Sequence, residues 1–305
     1  YVEVVANGGN DFSKGDLIMR KVLLATTALV AMSVTAAQAD VSISGYSNFE
    51  VTDDGTTTSF YQDGEVKVTG TSTTDSGLTM SAVYAMSTST GSGLGDGSAN
   101  GGGEGIVDDS YINLSGDFGN LRLGNTDDAL DLNDGLVPAN WDENGNGGPV
   151  IGGKQGEGNE TISFTAPTIS GIKVYGSTTA EGAYTGMGIN YSNGPVSVMY
   201  QMGEDGTASE TLAAVNFTMS GVTVGFSTFD SEDGATKEEA SSMGVKYSMG
   251  DLDLYYVSQK DTKAGKTETS LGGYYSIAPG LQAALETADD GLGANTTYAH
   301  LKVSF

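Results

Sequence analysis

From Asp40 to the end of the chain, apolar and polar side chains alternate with a period of two, and helical periodicity is almost absent. Val41, Ile43 and Gly45 alternate with Ser42, Ser44 and Tyr46, and the pattern runs on through Phe49 and Val51. Read along the whole chain, it predicts sixteen strands, at about 41–51, 59–71, 78–88, 107–115, 119–125, 159–166, 172–179, 184–192, 195–202, 210–219, 222–229, 239–248, 252–259, 267–276, 281–287 and 295–305.

The connections between these strands come in two kinds that take turns. Seven are short: 73–77, 116–118, 167–171, Asn193-Gly194, Ser220-Gly221, Gly250-Asp251 and 278–280. Eight are longer and acidic: 53–55, 91–106, 126–158, 180–183, 203–209, 230–238, 260–266 and 289–291. Strict interleaving places every tight turn at one end of the strands and every long loop at the other. That is the expectation for an all-β, transmembrane, antiparallel up-and-down β-barrel with both chain ends on the tight-turn side. A soluble sandwich has no reason to sort its connections this way. An even strand count also closes the ring, whereas an open edge in hydrocarbon would leave backbone groups unpaired at several kcal/mol each. Sixteen strands leave a water-filled interior. A merged or split hairpin would change that count by two.

The first 39 residues read differently. Residues 19–39 open with Met19, Arg20 and Lys21, continue with an apolar run from Val22 to Val34, and end on Ala37-Gln38-Ala39. This is the pattern of a secretory signal peptide cut before Asp40. Residues 1–18 precede Met19 and read as leader translated upstream of the natural start. The expected organisation is therefore 1–18 leader, 19–39 signal peptide and 40–305 barrel.

Composition narrows the function. The formal charge is −26, from 39 acids against 13 bases, and the charges within residues 1–39 cancel. Such a balance repels nucleic acid. There is no Cys, so neither a disulfide framework nor thiol chemistry is available. There is one His, no Gly-x-Ser-x-Gly elbow and no phosphate-binding glycine loop, which argues against an enzyme.

The C-terminal strand adds a specific signal. Ala299, Leu301, Val303 and Phe305 alternate with Tyr298, His300, Lys302 and Ser304, and Phe305 ends the chain. This is similar to the signal by which barrel assembly machinery selects outer-membrane proteins. The segment from Tyr111 to Asn125, YINLSGDFGNLRLGN, resembles the hairpin before the constriction loop of Gram-negative general-diffusion porins, especially their alphaproteobacterial branch. The resemblance implies an outer-membrane homotrimer with one pore per subunit, set among lipid and lipopolysaccharide. It implies passive diffusion of small hydrophilic solutes, and a third external loop folded into the barrel.

That loop is the longest, residues 126–158. It carries Asp127, Asp128, Asp131 and Asp134 near its start, and only one base, Lys154. A solvated acidic surface loop would look similar. Ala129, Leu130, Leu132, Leu136, Val137 and Trp141 favour a loop packed on a wall. Strand parity turns Arg122, Lys67 and Lys302 toward the interior, and Arg122 is the only Arg after residue 39. The resemblance implies acids on the loop opposed by bases on the wall, so these seven residues are the candidate constriction. With so few bases, a cation-selective channel is expected.

Two further readings stay open. Asp142, Asn144 and Asn146 match the first half of a calcium loop, but Gly153 stands where its final Glu belongs, so at most a looser calcium site remains. The alternative to a channel is an acidic, calcium-dependent surface adhesin or structural β-protein of the cell envelope.

Overall fold

The computed structural model describes residues 40–90, 109–133, 136–138, 160–179 and 184–305. They form sixteen strands: β1 Asp40–Asp53, β2 Thr58–Thr73, β3 Thr79–Thr90, β4 Ser110–Gly116, β5 Gly119–Asn125, β6 Glu160–Thr165, β7 Ile172–Thr179, β8 Tyr184–Asn193, β9 Val196–Asp205, β10 Ala208–Met219, β11 Val222–Asp233, β12 Thr236–Met249, β13 Leu252–Asp261, β14 Lys266–Ala278, β15 Leu281–Asp289 and β16 Asn295–Ser304. Each pairs antiparallel with its neighbours in sequence, and β1 pairs with β16 to close the barrel. The expected strand number, order and up-and-down topology are all found.

Alternation of side chains gives the barrel its two faces. On β10, Val215 and Phe217 are exposed outward while Leu212 and Ala214 are buried inward. On β11, Val224 and Phe226 point out while Ser227 and Phe229 are buried inside. Exposed large apolar side chains recur around the ring, from Ile43 on β1 to Val303 on β16. A barrel that displays its apolar residues outward is built for hydrocarbon rather than water.

The strand ends differ from the sequence expectation, for a physical reason. Residues 203–209 and 230–238 read as loops, yet β9 runs to Asp205, β10 starts at Ala208, β11 runs to Asp233 and β12 starts at Thr236. Two-residue turns join them, with Gly206 and Gly234 at φ 61°. Beyond the hydrocarbon both faces of a strand are wet, so its ladder continues after the apolar alternation has ended. Ser220-Gly221 makes a tight turn at the opposite end, with φ 53° and 83°. Two successive positive φ values identify a type I′ hairpin, whose twist matches that of the flanking strands.

The seam between first and last strands decides whether the ring exists. It runs from Tyr46↔Ser304 to Asp53↔Thr297. Phe305 extends it by one step: its N–H donates to the Gly45 carbonyl at 2.9 Å, and its own carbonyl accepts from the Gly45 N–H at 3.0 Å. A Cβ on Gly45 would lie 2.2 Å from the Glu65 carbonyl oxygen and 3.0 Å from the Phe305 ring. Gly45→Val should therefore destabilise the refolded barrel by about 1–3 kcal/mol, the usual cost of overpacking. Deleting Phe305 should lower outer-membrane levels in cells yet leave purified protein able to refold in detergent. Gel mobility before and after heating measures the first effect, and quantitation in isolated membranes the second.

Candidate functional site

The site is the barrel interior, and strand parity determines who faces it. Arg122 pairs across β5 with Asn113 on β4 and Ser163 on β6, and Ser163 is buried. Its neighbours Leu121 and Leu123 share the outer face with Phe164 and Ile162, which are exposed. Arg122 thus points inward. Its Nη1 donates to Thr126 Oγ1 at 3.0 Å, and its guanidinium lies 4.3 Å from the centroid of the Tyr111 ring. Arg122 is therefore held at the root of the segment that follows β5.

That segment, residues 126–138 where described, lies on the inner face of β7 to β12. Asp128 starts it. Its Oδ1 accepts from the backbone N–H of Leu130 at 2.6 Å and of Asp131 at 3.0 Å. These bonds turn the chain into a short 3-10 turn at Asp131–Asn133. Asp128 is wholly buried, and Asp127 and Asp131 are half-buried. Leu130 and Ala129 then pack on Tyr175 and Tyr184. Val137 packs on Met199, Leu212, Ala214 and Phe229, with Leu136 beside it. Removing such apolar surface from water drives the segment onto the wall.

Polar side chains of the wall complete the seat. Ser177 Oγ accepts from the Ala129 N–H at 3.1 Å. Gln201 Nε2 donates to the Leu130 carbonyl at 2.8 Å and to the Tyr175 hydroxyl oxygen at 2.9 Å. Asn190 Nδ2 donates to the Asn133 carbonyl at 3.1 Å, and Asn216 Nδ2 to the Leu136 carbonyl at 2.8 Å. Sequence reasoning missed these three amides, because a polar residue at an inward position is ordinary in any water-filled barrel.

The two other wall bases lie in a different sector of the ring. Lys67 on β2 and Lys302 on β16 flank β1 from either side. Lys67 Nζ is 3.2 Å from Glu65, and Lys302 Nζ is 4.2 Å from the centroid of the Tyr46 ring. The same sector carries acids the sequence reading did not single out. Glu50 lies 2.8 Å from Nδ1 of His300, and Glu286 and Glu268 are buried on β15 and β14. Lys266 pairs with Glu268, and Lys246 is 2.9 Å from Asp253. Parity alone could have found these acids, since each sits at an inward position of its strand.

Asp134, Asp142, Asn144 and Asn146 lie outside the described residues. Among the described residues no group of three His, Cys, Asp or Glu is arranged to hold a metal ion.

The long-loop end of the barrel is acidic too. A recess there is lined by Glu204, Asp205, Glu210, Glu232, Asp233 and Glu238. Asp54 and Asp290 sit in loops beyond the strands. Backbone N–H groups of Thr57 and Thr56 hold the Asp54 carboxyl below the usual carboxylate range, and those of Leu292 and Ala294 do the same for Asp290.

A family model for Gram-negative porins matches residues 25–294. No curated protein matches the sequence. Two solved structures illustrate the likeness of fold. One engineered variant of the Rhodopseudomonas blastica porin, carrying five substitutions, superposes with a TM-score of 0.71 at 18% identity, covering 87% of this chain and all (100%) of that one. A triple mutant of the same porin gives 0.72 at 18% identity, with the same coverage of 87% and 100%. The family match spans most of the chain, and the closed sixteen-strand barrel accords with it: this protein is a member of the Gram-negative porin family, a diffusion channel of the outer membrane.

Proposed function

We propose that the channel is water-filled, selective for cations and used by small hydrophilic solutes, with residues 126–158 as its constriction. The observation that carries the reading is the placement of charge. Bases described in the interior stand beside a carboxylate or a ring: Lys67 by Glu65, Lys246 by Asp253, Lys266 by Glu268, Lys302 over Tyr46, Arg122 over Tyr111. The carboxylates offset the charges of Lys67, Lys246 and Lys266, whereas the rings beside Arg122 and Lys302 carry no charge. Carboxylates outnumber bases at the long-loop mouth, and a narrow low-dielectric passage lined by one sign concentrates counter-ions.

Within the constriction the acids divide the work. Asp127, Asp131 and Asp134 draw cations toward the passage. Asp128 acts through its grip on two backbone N–H groups, so its task is positioning. Arg122, Lys67 and Lys302 oppose the acids from the wall. The reading also includes a homotrimer of the alphaproteobacterial kind, contacts with lipid and lipopolysaccharide, delivery by barrel assembly machinery through Phe305, and removal of residues 19–39. Each rests on the family resemblance or on sequence pattern, as does calcium binding by Asp142, Asn144 and Asn146. The protein moves solutes down their gradients and carries out no catalysis.

Reversal potential across a planar bilayer under a KCl gradient tests the charge assignment. The parent should prefer K⁺, and salt should weaken the preference as the Debye length falls from about 10 Å at 0.1 M to about 3 Å at 1 M. Asp127→Asn, Asp131→Asn and Asp134→Asn together should reduce it, and Arg122→Ala should increase it. Anion preference in the parent at low salt, or no change in the triple variant, would refute the assignment.

The mouth has its own pH signature. A carboxyl whose folded pKa is depressed stabilises its turn above its unfolded pKa of about 3.9, and loses that contribution as pH falls through the folded value. Asp54 and Asp290 should therefore titrate below ordinary carboxyls by carbon-13 NMR, keeping the mouth anionic at mildly acid pH.

A further inference from the structure

The inward segment is not a strand of the barrel, so the ladder does not hold it. Its described bonds to the wall are made to wall side chains, and they are spread along it. Asn190, Gln201 and Asn216 stand on three successive strands, β8, β9 and β10, all at inward positions. Each donates to a main-chain carbonyl of the segment: Asn133, Leu130 and Leu136 respectively. Gln201 is itself buried and held by the Tyr175 hydroxyl, which donates in turn to Asn190 Oδ1 at 2.7 Å. Asn190, Gln201 and Tyr175 are linked to one another, Asn216 adds a separate bond further along, and none of these grips uses the segment's carboxylates.

Depth is set by a second feature of the same wall. A Cβ on Gly186 would lie 2.6 Å from Leu130, one on Gly225 would lie 2.7 Å from Pro138, and one on Gly244 would lie 2.0 Å from the Pro138 carbonyl oxygen. These glycines sit on β8, β11 and β12 beneath the segment. A side chain at Gly225 or Gly244 would meet the segment's main chain and push it toward the lumen, while one at Gly186 would meet the end of the Leu130 side chain. Bore is therefore a property of the wall as much as of the segment.

We propose that Asn190, Gln201 and Asn216 are positioning residues that fix the bore of the channel by gripping the main chain at Asn133, Leu130 and Leu136, on a seat cleared by Gly186, Gly225 and Gly244. This rests on the pore reading above. A buried carbonyl that loses its donor carries a desolvation penalty, so removing the amides releases the segment rather than leaving it in place. The charges of Asp127 and Asp131 then lose their fixed distance from the opposite wall.

The test is single-channel recording on the refolded full barrel carrying Asn190→Leu, Gln201→Met and Asn216→Leu, which keep shape and remove donors. The expected result is a several-fold rise in open-channel noise with heat-modifiable gel mobility unchanged. Rescue is available because the chain has no cysteine to interfere. Adding Ala129→Cys and Ser177→Cys to the triple variant should restore quiet openings under oxidation, and reductant should bring the noise back. Openings as quiet as the parent's, or noise that ignores the cross-link, would overturn the proposal. If the triple variant does not fold, Gln201→Met alone should raise the noise in the same direction, and a recording identical to the parent's would overturn it. A parent that conducts no ions would instead sink the pore reading itself.

Discussion

Hydrocarbon offers no hydrogen bonds, and that constraint organises this molecule. Every main-chain donor and acceptor that crosses the membrane must find a partner within the protein. The sixteen strands do this pairwise, and the last pairing, β1 with β16, removes the only edges. Its final step is the reciprocal bond pair between Phe305 and Gly45. The apolar outer face is a second consequence. Ile43, Phe217 and Leu301 are exposed because lipid, not water, surrounds them.

Closure solves one problem and creates another. A ring of this many strands is wider than its side chains can fill. An inward segment can narrow it, but such a segment brings its own backbone groups and no ladder to join. Here the wall supplies what a neighbouring strand would have supplied. Amides on β8, β9 and β10 donate to three of its carbonyls and Ser177 accepts one N–H, while the segment's own Asp128 carboxylate accepts two more. Apolar contacts of Leu130 and Val137 bring the segment to the wall, and the missing Cβ atoms of Gly186, Gly225 and Gly244 let it seat closely. The charge pattern follows from the same arrangement. With the segment on β7 to β12, the sector left facing it carries Glu50, Glu65, Glu268 and Glu286 as well as bases.

Much of the fold was legible because a barrel wall has two unlike faces. Alternation at Val41–Phe49 or Ala299–Phe305 reports lipid on one side and water on the other, and short turns alternating with long loops report the two ends. Strand ends were not legible where both faces are wet, which is why β12 begins at Thr236 rather than near Glu239. Of the segment's apolar residues, Leu130 and Val137 are buried on the wall but Leu132 is exposed, and nothing in the sequence distinguished Asn190, Gln201 and Asn216 from ordinary lumen polar residues. Asp128 shows the same difficulty. In sequence it is one more acid in an acidic run; in the structure it is sealed and holds a turn.

A barrel narrowed by the segment after β5 should widen when that segment is removed. Polymer exclusion measures this directly: unitary conductance recorded with neutral polyethylene glycols of graded size, for the parent and for a variant in which a short glycine-serine linker replaces residues 126–158. Polymers that fit the passage lower conductance, and larger ones leave it unchanged. The cut-off should lie at small polymers in the parent and move to distinctly larger ones in the variant. The same cut-off in both would mean that the segment does not set the bore.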